Sequence, residues 1–124
     1  MNILQNLKSY LVENKIVDES EVFFDYDEFS LQDRVVLSVS GGESCFVGQK
    51  TNVVVSVKTA LMKNAFEKAE AIFSALCPPG NYEKPLKING SVMLVKSKTP
   101  PAFKEKTKSG KFSYTFEILV ISSR

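Results

Sequence analysis

The chain has 124 residues, 44% of them hydrophobic and 24% charged, which suits a single globular domain over residues 1–124 with enough apolar material for one core. No run approaches 18 apolar residues, so a membrane-spanning helix is excluded, and the first residues do not read as a secretion signal. Histidine is absent, which removes the commonest general base and the commonest zinc ligand.

Ile3, Leu4, Leu7, Tyr10 and Leu11 recur at helical spacing, with Asn2, Gln5, Asn6, Lys8 and Glu13 opposite. This predicts a helix over about residues 2–14, stopped at Asn14-Lys15. Val22, Phe24 and Tyr26 alternate with Phe23 and Asp25 in a short strand whose acids suit a sheet edge. Residues 27–33 read as a turn. Val35, Leu37 and Val39 form a second strand ended by Gly41-Gly42, and Val53, Val55 and Val57 a third, with 41–48 joining them as a loose antiparallel hairpin.

Ala65, Phe66, Ala69, Ile72, Phe73 and Leu76 make one stripe, predicting a second helix that presses Phe66 and Phe73 on the sheet. Pro78-Pro79-Gly80 follows Cys77 and stops it. Leu86–Ile88 leads through Asn89-Gly90 to a strand over Val92–Val95. A last strand covers residues 112–121, with Phe112, Tyr114, Phe116, Ile118 and Val120 on one face. Between these two lies Thr99–Gly110, read as a hairpin connection of about twelve residues, at the long end for a compact domain. The order predicts an α+β fold, a two-layer sandwich. Its sheet is mixed, mainly antiparallel, with four to six strands, and both amphipathic helices pack on one face.

Charge is unevenly spread. Residues 1–33 hold eight acids against two lysines, a net −6, whereas residues 84–124 hold nine bases against two acids, a net +7. Opposite-signed segments can attract a second copy head to tail, the arrangement that closes rings. Asp25, Asp27 and Glu28 are the candidate acidic contacts. Lys98, Pro100, Pro101, Phe103, Lys104, Lys106, Lys108 and Lys111 are the basic and apolar ones, around a segment that reads either as a disordered, soluble hairpin tip or as an arm that orders against a neighbouring subunit or a stacked ring. Its lysines could meet DNA phosphates only non-specifically.

The common catalytic constellations are missing. No Ser-His or Cys-His pair can form, and Gly41-Gly42 with Gly48 lacks phosphate-loop spacing. Asp25 and Asp27 share a strand face but read as a solvated edge rather than an acid–base or metal site. Cys45 and Cys77 are isolated and read as reduced thiols. The expectation is a protein that is no enzyme and uses no metal or cofactor.

The layout from Ile3 to Ser122 resembles the small tail terminator proteins of long-tailed phages, also described as minor capsid or tail completion proteins. The resemblance rests on the helix Ile3–Leu11, the acidic Phe24-Asp25-Tyr26-Asp27, and the strand Val35–Val39 ending in Gly41-Gly42. It continues through the valine strand Val53–Val57 running into helix Ala65–Leu76, the strand Val92–Val95 broken by Pro100-Pro101, and the aromatic strand Phe112–Val120. It implies a homohexameric ring, formed alone or only on the tube, that caps the tail tube and meets the head completion or connector protein. The implied place is the head-proximal end of the virion tail, with assembly in the host cytoplasm and no membrane. The alternative is a non-catalytic adaptor or inhibitor that binds one protein through an exposed sheet edge and the basic 99–110 segment. A small carboxylate-based enzyme is the third reading.

Overall fold

In the computed structural model the described residues are 3–24, 33–45, 48–77, 83–88, 91–107 and 110–122. Helix α1 (Ile3–Glu13) is followed by a 3₁₀ turn (Glu19–Glu21) and strands β1 (Val22–Phe24), β2 (Arg34–Cys45) and β3 (Gly48–Thr59). Then come α2 (Met62–Leu76), β4 (Glu83–Ile88), β5 (Ser91–Lys106) and β6 (Phe112–Ser122). The six strands form one sheet in the order β1-β2-β3-β6-β5-β4. Only β1–β2 is parallel; every other pair is antiparallel. The predicted α+β class holds, and β1 is at a sheet border as expected, with Asp25 outside the described residues.

Alternation decides which face is covered. On β3, Val53, Val55 and Val57 are fully buried, and they pair with Ile118, Phe116 and Tyr114 of β6. Leu4, Leu7 and Leu11 of α1 and Ala69, Ile72 and Leu76 of α2 join these residues in one core cluster. Both helices therefore bury their stripes on the same sheet face. Small Ala65 and Ala69 bring the α2 backbone close to the strands, and Phe73 meets Phe116 edge-on at 5.3 Å. Each fully buried valine contributes about 1.5–3 kcal/mol through apolar transfer.

The first helix ends through its backbone. Ile16 N–H donates to Leu11 C=O at 2.9 Å and Lys15 N–H to Val12 C=O at 3.0 Å, with Lys15 at φ 59°. This is a Schellman closure in which a lysine occupies the left-handed position usually given to glycine. Asn6, predicted to face solvent, is instead buried, because α1 touches both β2 and β4 and is covered on more than its leucine stripe.

Three expectations need correction. Gly41-Gly42 does not end β2: the strand runs on to Cys45, with a register shift between Val39 and Gly41 absorbing the irregularity. Residues 99–106 are not a connection but the second half of β5, hydrogen-bonded to β6. Pro100 and Pro101 are accommodated as a bulge between the Thr99–Glu117 and Ala102–Thr115 pairs. A bulge on a border strand is where proline is tolerated, and the Thr99 hydroxyl accepts the Glu117 N–H at 2.9 Å. The connection shrinks to Thr107–Lys111, closed by Gly110 N–H on Thr107 C=O, with Gly110 at φ 85°. Finally, Phe73 packs on the sheet as predicted but Phe66 is 47% exposed.

Two substitutions test this account by denaturant unfolding. Phe116→Ala should cost about 3–5 kcal/mol, as for a large core truncation. Lys15→Gly should stabilise the chain by up to about 1 kcal/mol, relieving the left-handed strain.

Candidate interface

Two lysines that look like free surface charge in the sequence are used internally. Lys111, only 8% exposed, donates to Asp33 Oδ1 at 3.0 Å, and the same oxygen accepts the Ala60 N–H at 2.9 Å. One carboxylate thus ties the start of β2, the β3–α2 junction and the β5–β6 turn. Burial alone would raise the Asp33 pKa, but the Lys111 and Ala60 hydrogen bonds and the ammonium charge outweigh it and hold the carboxyl below 3.8. Lys68 makes the second tie. Its Nζ reaches Glu21 Oε1 at 3.1 Å and Ile16 C=O at 3.3 Å, pinning the 3₁₀ turn to α2. Glu21 Oε1 also accepts the Asp18 N–H at 2.9 Å.

Between these ties lies an open cleft of about 440 Å³, lined by Ile16, Glu21, Asp33, Asn64 and Lys68 among others. Glu21 and Asp33 are already engaged by ammonium groups, so the cleft wall is a set of structural ion pairs. Among the described residues no three of His, Cys, Asp and Glu converge to hold a metal ion. Cys77 is a buried core thiol.

The β5 border has a different character. β4 pairs with β5 only as far as Lys96, so the stretch from Ser97 to Lys106 has no strand on its outer side among the described residues. Phe103 lies across from Tyr114, with ring centres 5.7 Å apart, and Phe66 of α2 meets Tyr114 at 5.8 Å from above. Phe103 also faces Phe112 at 6.5 Å, and the Lys106 ammonium sits 5.4 Å over the Phe112 ring. Phe66, Phe103, Leu61 and Met62 are all large apolar side chains left exposed here.

Of the sequence-selected residues, the structure brings Phe103, Lys104 and Lys106 onto this border, exposed, with Pro100 and Pro101 on the bulge preceding them. Lys98 is exposed, with its ammonium 3.1 Å from Asn52 Oδ1 and 3.7 Å from Glu117 Oε2. Lys111 is not an interface lysine, because Asp33 has claimed it. Asp25, Asp27, Glu28 and Lys108 lie outside the described residues. Exposed acids are present near the β1 border, at Glu13, Asp18 and Glu19. Sequence reasoning missed Leu61, Met62 and Phe66 as surface residues. Phe66 shares the helical spacing of the core stripe, and it touches the sheet only through the edge-on contact with Tyr114, which leaves it half exposed.

No family model matches the chain, and no characterised protein matches it in sequence. Solved structures do match. One of them, which carries no functional description, superimposes with a TM-score of 0.52 at 13% identity, covering 99% of this chain and 98% of its own. The likeness is one of fold.

The Asp33 tie makes a signed prediction. Its pKa is lower folded than unfolded, so its stabilisation is complete above about pH 4 and is lost as pH falls through the folded value. Asp33→Asn should be less stable at neutral pH by about 1 kcal/mol, the scale of a half-exposed pair. Its unfolding midpoint should converge on wild type at low pH.

Proposed function

We propose that this chain is a structural ring subunit of a phage or phage-derived tail, capping the tail tube and offering a surface for head joining. In this reading it makes and breaks no covalent bond. The observation that carries it is the placement of charge on the sheet. Glu13, Asp18 and Glu19 are exposed on the segments that lead into β1, with Lys15 among them, and Lys104 and Lys106 are exposed on β5 on either side of Glu105, four strands away along the same sheet. Two dissimilar surfaces on opposite sides of one subunit favour a heterologous contact, which closes into a ring when the rotation allows. The resemblance to tail terminators supplies the expected number, six, and the expected neighbours: the tail-tube protein and the head completion protein.

The adaptor reading would use an exposed sheet edge to add a partner strand. On β5 that is opposed by the two prolines, which withhold N–H donors, and by the flanking lysines, both common devices against strand addition.

Light scattering tests the proposal. Alone or beside tail-tube protein, the chain should reach about six times its 13.8 kDa mass, and high salt should reduce that mass as the border charges are screened. A constant 13.8 kDa with tube protein present would favour the adaptor.

A further inference from the structure

The exposed aromatic group on the β5 border has an order that scattered surface residues lack. Met62 and Phe66 stand one turn apart on α2, Phe66 meets Tyr114, and Tyr114 meets Phe103. Four apolar side chains from one helix and two strands thus form a continuous strip at the rim of the core. Lys104 and Lys106 lie beside it, with the Lys106 ammonium held over Phe112. Such a strip with a cationic margin calls for a partner surface that is apolar at its centre and acidic at its margin.

The opposite border of the same molecule offers an exposed apolar side chain with acids on the segments that lead to it. Val39 on β2 is 48% exposed, just past the point where β1 stops pairing at Leu37. Phe24, half-buried at the end of β1, already has the Lys8 ammonium 5.4 Å over its ring. Glu13, Asp18 and Glu19 are exposed on the segments leading into that strand. We propose that the Met62–Phe66–Tyr114–Phe103 strip is the socket for a second copy of this chain, which presents its Val39 with Glu13, Asp18 and Glu19 facing Lys104 and Lys106. The assignment rests on the ring reading and gives it a defined contact, in which each subunit uses its socket once and its acidic border once.

A contact with two unlike halves can be tested by breaking one half at a time. The variant Phe66→Ser/Phe103→Ser loses the socket but keeps the acidic border. The variant Glu13→Lys/Glu19→Lys loses the border but keeps the socket. Glu13 and Glu19 are exposed, so the border variant should unfold at the wild-type midpoint, whereas the socket variant also gives up ring contacts to Tyr114 and Phe112. Should the first lose stability, Lys104→Ser/Lys106→Ser replaces it as the socket variant, neutral so that it does not pair with the reversed border.

Light scattering is then read under conditions where the wild-type chain assembles. Each variant alone should remain at the mass of one subunit. An equimolar mixture should give a two-subunit species and nothing larger, since only one intact socket–border contact is available. Variants that assemble like wild type, a mixture that stays at one subunit, or a mixture that rebuilds the full wild-type mass would overturn the socket while leaving the ring intact. A wild-type chain that remains at 13.8 kDa at every concentration and on tail tubes removes the ring reading, and the socket with it.

Discussion

Everything in this fold depends on one face of one sheet being covered twice. Val53, Val55 and Val57 have no exposure at all, and they sit in a strand flanked on both sides by long antiparallel partners. Burying them requires a lid, and neither helix is long enough to be that lid alone. Helix α2 lies over β3, β6 and β5, while α1 fills the space towards β2 and β4. The alanine stripe of α2 matters as much as its large residues, because Ala65 and Ala69 set how closely the helix can approach.

The ion pairs are secondary, but they organise the molecule at the end where the strip lies. Asp33 joins three chain segments, and Lys68 joins the 3₁₀ turn to α2. These ties consume Lys111, Lys68, Glu21 and Asp33, which a charge count along the chain would assign to the surface. The charge that is left is spread over the helices and strands, with Lys63 and Glu67 on α2 and Lys98 beside Glu117 on the sheet, and it is smaller than the segment totals suggest.

Periodicity made the two helices, the valine strand and the final aromatic strand legible, because each pattern serves one burial requirement. It failed where tertiary context overrules local signals. Pro100-Pro101 reads as a break, yet a border strand needs no N–H on its outer side and the Thr99 hydroxyl serves the facing Glu117 amide. Gly41-Gly42 reads as a stop, yet pairing with β3 carries the strand through. Phe66 reads as core since helical spacing reports direction and not how much of a side chain is covered. The basic character of the candidate interface was visible in the sequence, whereas its aromatic half, formed by α2 meeting the β5–β6 hairpin, depends on residues about forty positions apart that no local pattern connects.

The diproline bulge bears on how copies of this protein can meet. A border lacking two consecutive donors is a poor template for backbone-to-backbone growth, which once begun extends without limit. The interrupted register of β5 thereby works against open-ended fibre formation along this side.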